Sequence, residues 1–167
     1  MLIAAAAVAV CAVIGILVVA ALHLKTPEQR PVAIVAIPAP QADGQACQAL
    51  LKALPDQLDD YRRAAVAQPA PAGAAAWRRD ADGDPVILRC GLDRPADFVA
   101  GAPVQMVDDV AWFRIADTGR TTWIAVDRPV YVALTLPDGS GPTPIQLIST
   151  AVAKAMPAAA VNPAPPR

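Results

Sequence analysis

The chain has 167 residues and a mass of 17.3 kDa, which suits one small domain with additional segments but not two large hydrophobic cores. Its 14 basic and 15 acidic residues leave a formal net charge of -1, which argues against the basic surface that nucleic-acid binding needs. Hydrophobic residues make up 55% of the sequence but aromatic residues only 4%, and part of the apolar excess lies in one N-terminal block.

This N-terminal block predicts a membrane-spanning helix. Residues 2–24 carry no formal charge, and a helix of that length extends about 34 Å, enough to cross a hydrocarbon core of about 30 Å. We therefore expect residues 1–24 to be a single transmembrane anchor that contacts the membrane through residues 2–24. The alternative is a signal peptide cleaved near Ala20, where small residues form an acceptable site. Either segment directs the rest of the chain out of the cytoplasm.

The orientation of the anchor rests on two opposing observations. Lys25 and Arg30 follow the apolar segment and no basic residue precedes it, a bias that would keep the domain in the cytoplasm. Cys47 and Cys90, the two cysteines outside the segment, suit a disulfide in an oxidising compartment. Two flanking charges are a small bias, so the cysteines carry more weight. We expect a single-pass protein of the cell membrane with an extracytoplasmic domain, or a secreted one if the segment is cleaved.

The next part of the chain predicts a tether and a first helix. Residues 25–42 contain several prolines, which keep the chain extended, although Val32 to Ile37 could add an edge strand. A helix is expected over residues 44–54, with Asp43 as its N-cap and an apolar stripe at helical spacing, formed by Cys47, Leu50, Leu51 and Leu54. Leu58 and Tyr61 could continue that stripe into a short second turn.

Four segments alternate as strands do, at residues 85–91, 110–116, 121–127 and 130–136. The last three are joined by short connections, which favour antiparallel pairing. In the segment of residues 85–91, Cys90 shares a face with Val86 and Leu88, so it is expected to point into the core.

A second helix is predicted to begin near Thr143, with Thr143 as N-cap, Pro144 at the first helical position and Gln146 completing a capping box. Residues 158–167 are too rich in proline and alanine to pack and are expected to be disordered. The sequence thus predicts an α+β domain over residues 43–157. It would hold a small antiparallel sheet with two covering helices, preceded by one N-terminal transmembrane helix.

Few residues qualify for catalysis or metal binding. His23, the only histidine, lies at the membrane border, which excludes histidine-based triads and zinc sites within the domain. Asp80, Asp82 and Asp84 resemble part of a calcium loop, but no distal glutamate follows, so a solvated turn is the expected structure. No metal or cofactor is expected. A bond between Cys47 and Cys90, 43 positions apart, would be structural rather than redox-active.

Six residues are candidates for binding. Trp112 shares a strand with Phe113, so the two face opposite sides and one of them could be exposed to a partner, unless both faces of the sheet are covered. Trp123, on the next predicted strand, is a second aromatic candidate for contact with a partner. Arg89, Arg114 and Arg128 could form an anion-binding site; alternatively they are solvated, or paired with acidic residues such as Asp127.

Several of these features together resemble a known family. They are Cys47, the Pro-Val-Ile-Leu-Arg-Cys-Gly stretch from Pro85 to Gly91, Trp77, Trp112 and the Asp-Arg-Pro sequence of residues 127–129. The pattern resembles the actinobacterial membrane-anchored or secreted proteins grouped as domain of unknown function 3515, over about residues 30–157. The resemblance implies an actinobacterial cell-envelope protein and supplies no catalytic residues.

The hypothesis from sequence is an extracytoplasmic binding or assembly module for an envelope protein or a wall component. The alternative is an envelope enzyme that acts on a polar substrate through an Asp/Arg cleft. Convergence of Arg89, Arg114, Arg128 and Asp127 in one pocket would favour the enzyme, and their separation would favour the binding module.

Overall fold

The computed structural model describes residues 30–166. The predicted membrane segment lies outside this range, and within it neither helix is long and apolar enough to cross a membrane. The described elements, in chain order, are α1 (Gln45–Ala53), β1 (Gln57–Leu58), β2 (Tyr61–Ala64), β3 (Ala74–Arg78), β4 (Val86–Leu92), β5 (Val104–Val107), β6 (Val110–Asp117), β7 (Arg120–Ala125), β8 (Tyr131–Pro137) and α2 (Thr143–Ala155).

The eight strands form one antiparallel sheet with the order β1-β2-β3-β4-β8-β7-β6-β5. Strand β8 returns to the centre and joins the two meanders, while β1 and β5 are the edges. Side chains alternate between two faces. We call the face that carries Leu88 and Trp112 the helix face, and the one that carries Arg89 and Phe113 the back face.

Both helices pack on the helix face over the main hydrophobic core. Leu50 of α1 and Ile148 of α2 are fully buried against side chains such as Leu88 and Leu134. The helical stripe of α1 brings Cys47 into the same core, because residues three and four apart share a helix face. The prediction of an antiparallel sheet with two covering helices is confirmed.

Irregular chain covers the back face. Val32 and Ile34 are buried with Ala64 and Ala76, so the later part of the predicted tether lies against the sheet. Of the edge strand expected from Val32 to Ile37, only one parallel bridge is present, from Val32 to Val66. Further along, the backbone of residues 41–42 packs closely on Gly91, which has a φ of +88°. Any side chain at position 91 would collide with that backbone.

The C-terminal tail also covers the back face, together with the loop between β4 and β5. Phe98 of that loop packs on Phe113 with ring centroids 5.2 Å apart. Ala164 donates its N–H to the Phe98 carbonyl and accepts one from Ala100. The expectation of a disordered tail is therefore wrong for residues 158–166, whose backbone is held by hydrogen bonds even though the composition is poor in large apolar side chains.

The predicted helix caps are also corrected. The N-cap of α1 is Gly44 rather than Asp43, and no side chain caps the helix. The N-cap of α2 is Pro142, so Thr143 is the first helical residue and the predicted capping box is absent. The helices are still stable without these bonds because tertiary packing, rather than capping, dominates helix stability in proteins.

The segment around Leu58 and Tyr61 forms a hairpin of β1 and β2 instead of the predicted helical turn. The two residues are opposite each other across a turn in which Asp59 has a φ of +56°. Strands β4, β6, β7 and β8 agree with the four predicted segments within a few residues, whereas β3 and β5 were not predicted.

Candidate functional site

A disulfide joins Cys47 of α1 to Cys90 of β4, which confirms the predicted pair. Their Cα atoms are 5.6 Å apart, within the usual range for a disulfide, and both residues are fully buried. The bond links the first helix to the centre of the sheet. Because no solvent reaches the sulfur atoms, the disulfide has the surroundings of a structural bond.

Trp112 does not provide an exposed contact. Its side chain is fully buried on the helix face and its indole N–H donates to the Ser149 hydroxyl of α2 at 2.9 Å. Phe113 is buried on the back face beneath the loop that carries Phe98. Both faces of the sheet are covered at this point, so the candidate role of Trp112 as a surface contact is corrected to a core role.

Arg114 and Trp123 lie side by side at an uncovered part of the helix face. They are opposite each other in the β6–β7 register, and the guanidinium lies 5.8 Å from the centroid of the indole ring. Arg114 is exposed, whereas Trp123 is half-buried and packs partly against the main core. No ion pair engages Arg114 among residues 30–166.

Two open cavities adjoin this pair. One of about 370 Å³ lies between β5, β7 and the start of α2, where it is lined by residues that include Gln105, Met106, Trp123 and Gln146. The other, of about 670 Å³, follows β5 and is lined in part by Val104 and Arg114. We call the surface formed by Arg114, Trp123 and the 370 Å³ cavity the Trp123 surface.

Arg89 lies on the opposite side of the sheet. It is half-buried on the back face, where its register neighbours are Ala74 of β3 and Ala133 of β8. Its Nε has no hydrogen-bond partner within the described part of the chain, and burial lowers the pKa of the guanidinium. Neither of these two alanines has a polar side-chain atom that could pair with the guanidinium.

Asp127 and Arg128 form a buried ion pair in the connection between β7 and β8. The Arg128 Nη1 atom is 2.9 Å from the Asp127 Oδ2 atom. Arg128 also donates to the backbone carbonyls of Asp127 and Asp109, which ties the β7–β8 connection to the β5–β6 turn. The pair therefore holds two loops together. Both residues are buried, so their side chains are poorly accessible to a ligand.

The remaining acidic candidates are at the surface. Asp80, Asp82 and Asp84 belong to the exposed segment before β4, where Asp82 lies 3.3 Å from Arg30 in an exposed ion pair. Across residues 30–166, no cluster of three or more histidine, cysteine or acidic residues is arranged to hold a metal ion.

Tyr131 shows how closely the C-terminal tail approaches the back face. Its hydroxyl donates to the Asn162 carbonyl at 3.3 Å. Burial raises the pKa of the Tyr131 hydroxyl, and the positive charge of Arg94 offsets part of that increase.

The four residues named for an Asp/Arg cleft thus lie in three separate places. Arg89 is on the back face, Arg114 is on the helix face, and the Asp127–Arg128 pair is in a loop connection. Sequence reasoning identified Arg114 and Trp123 but not the residues of β5 and α2 that line the adjoining cavity. The signal that could have found β5 is the two-residue turn Asp108–Asp109 between two apolar segments, which is typical of a hairpin.

Comparison with known proteins identifies a family. A family model described as "Protein of unknown function (DUF3515)" matches residues 6–161, which is almost the whole chain. No curated protein and no solved structure matches it.

Proposed function

The chain belongs to the DUF3515 family, as its sequence features indicated, and we propose that it is a cell-envelope protein whose extracytoplasmic domain binds another protein or a wall component. Two features support this location. The uncharged apolar segment over residues 2–24 is long enough to anchor the chain in a membrane. The Cys47–Cys90 disulfide is of a kind that persists mainly in oxidising compartments.

The Trp123 surface is the observation that carries the binding role. Tryptophan and arginine are the side chains that most often dominate binding energy at protein interfaces. Here they are stacked, partly exposed and next to a cavity, and Arg114 has no ion pair in the described part of the chain. A partner that covered them would desolvate a large aromatic surface and supply an acceptor to the guanidinium.

The alternative of an envelope enzyme with an Asp/Arg cleft has less support. Arg89 and Arg114 lie on opposite faces of the sheet, and the Asp127 carboxylate is already engaged by Arg128. An acid–base pair needs both groups within reach of the same reacting atom. These residues do not meet that requirement.

Photo-crosslinking in the native membrane tests the proposal. A photoreactive residue is placed at Arg114, with Arg62 as the matched control because it is also an exposed arginine on a strand. We expect one discrete product from position 114 that is absent from position 62, and its loss when Trp123 is replaced by alanine. Identical products from both positions, or none from position 114, would contradict a binding role for this surface.

Localisation needs a separate measurement. In intact cells treated with protease from outside, we expect the full-length chain to be degraded while a cytoplasmic marker protein survives. Protection of the chain until the cells are lysed would contradict the extracytoplasmic position.

A further inference from the structure

The two edges of the sheet differ in how well they are protected against pairing. Strand β1 has only two residues, and Asp56, Asp59 and Asp60 lie beside it. Strand β5 has four residues, Val104 to Val107, none of them charged, and residues Val104 and Met106 are 45% and 60% exposed. Natural sheets usually protect their edges with charges, prolines, bulges or very short strands. Strand β5 has none of these at its outer positions.

The hydrogen bonds of β6 establish which backbone groups of β5 point outward. Ala111 accepts a hydrogen bond from the Val126 N–H, so its backbone groups face β7. Met106 is opposite Ala111 in the register, so this is a non-hydrogen-bonded pair and the N–H and C=O of Met106 point away from β6. By the alternation of a strand, Val104 points the same way. Pro103 occupies an inward position, so it removes no outward donor.

From this geometry we propose that β5 pairs antiparallel with β5 of a second copy of the chain, about a twofold axis at Gln105. The axis places Val104 of one copy opposite Met106 of the other. These are the two residues with outward backbone groups, so both hydrogen-bonded pairs of the ladder form at once. The register is therefore self-complementary, as a twofold interface requires.

The side chains agree with this pairing. Val104 and Met106 lie on the same face of the sheet, and pairing makes each a cross-strand neighbour of the other, which removes exposed apolar surface from water. The two Gln105 side chains meet on the helix face. Asp108 falls opposite Ala102 of the second copy, so no like charges meet across the axis. Within residues 30–166 the sheet has one such edge, so the pairing closes as a dimer rather than extending into a fibre.

The contact is small, because a four-residue strand buries much less than the roughly 1,200 Å² of a standard interface. The dimer is therefore expected to be weak in dilute solution and to form mainly where copies are concentrated. The experiment accordingly uses the full chain in its native membrane. The pairing does not need a partner at the Trp123 surface, whereas the concentration of copies in a membrane rests on the proposed anchor.

Cysteine crosslinking tests the register. Gln105→Cys and Met106→Cys are compared under mild oxidation, both with Cys11 replaced by serine, and dimers are counted on a non-reducing gel. In the proposed register the two residues 105 are directly opposite, while the two residues 106 are two positions out of line. Since Cα atoms more than about 7 Å apart cannot be bridged without backbone movement, we expect Gln105→Cys to crosslink at least about tenfold faster. Random collision would instead favour the well-exposed position 106.

A second variant separates pairing from folding. Met106→Pro in the Gln105→Cys background removes one outward N–H that has no partner in the β5–β6 ladder, so the domain should keep its Tm while the crosslinking rate falls to that of Met106→Cys. Equal crosslinking from positions 105 and 106, no dimer from either, or an unchanged rate with Met106→Pro would each overturn the proposal. If photo-crosslinking from position 114 gives a product but Gln105→Cys gives no dimer, this inference alone is refuted. If Gln105→Cys gives a dimer but position 114 gives no product, the proposed function alone is refuted.

Discussion

Replacement of Cys47 and Cys90 by alanine measures how much of the domain's stability depends on the link between α1 and β4. The cysteines are 43 positions apart, and in the chain-entropy relation closing such a loop removes about 13 cal/mol/K from the unfolded chain, or about 4 kcal/mol at 25 °C. Small domains are stable by only about 5–15 kcal/mol in total. The cross-link is therefore expected to supply a large share of the free energy of unfolding.

Urea unfolding followed by tryptophan fluorescence is a suitable assay, because Trp77 and Trp112 are fully buried in the folded domain. The alanine variant should lose about 4 kcal/mol in the free energy of unfolding, and its m-value should rise because the unfolded chain without a cross-link exposes more surface. The unsubstituted protein, reduced by dithiothreitol in urea where unfolding exposes the disulfide, serves as a control. Reduction removes the bond but not the sulfur atoms, so any additional loss in the alanine variant measures the cavities.

A loss below about 1 kcal/mol in both the reduced protein and the variant would refute this reasoning. It would mean that α1 is held on the sheet by apolar contacts alone. Dithiothreitol must also leave the stability of the alanine variant unchanged, since Cys11 is then the one cysteine in the sequence and no intramolecular disulfide can form.

Three other predictions concern single positions. Ser149→Ala should lower the free energy of unfolding by about 1–3 kcal/mol, because it leaves the buried indole N–H of Trp112 without an acceptor. The control Thr150→Ala, on the exposed side of α2, should cost less than about 0.5 kcal/mol. Gly91→Ala should lower the Tm clearly more than Gly119→Ala. Both glycines have positive φ, but only at Gly91 would the added Cβ meet other backbone. Equal losses of Tm would show that this close backbone approach does not matter. Because the folded-state pKa of the Tyr131 hydroxyl is raised, the unfolded chain loses this proton first, so stability should fall as the pH rises above about 10. Absorbance at 295 nm with a Tyr131→Phe control checks this, and ionisation of Tyr131 below its ordinary pKa would contradict it.

The sequence predicted the elements whose side chains alternate or repeat clearly. Strands β4, β6, β7 and β8 alternate between apolar and other residues, and α1 has an apolar stripe, so both periodicities were visible. The first hairpin was misassigned for a physical reason. Leu58 and Tyr61 are three apart, and that spacing brings side chains together both on a helix and across a two-residue hairpin turn.

Other features were hidden by composition. Strand β3 begins with three alanines, which favour helices rather than strands, and it forms because β2 and β4 pair with it on both sides. The C-terminal tail resembles a disordered segment because its bonds to the domain run through the backbone, which leaves no trace in side-chain patterning. The partial exposure of Trp123 and the full burial of Trp112, on the adjacent strands β7 and β6, depend on which part of the sheet α2 covers, and local sequence patterns do not report this.

The covering of the back face by both ends of the described chain has a practical consequence for protein engineering. A fragment cut to residues 43–157, the boundaries that sequence patterns suggest, would lose Val32 and Ile34 at one end and the backbone partners of Phe98 at the other. The parts of the back face that Val32, Ile34 and the tail cover would then present apolar side chains to solvent, and large apolar patches promote association. Such a fragment is expected to aggregate on expression, whereas a version that retains residues 30–166 should remain monodisperse apart from weak dimers.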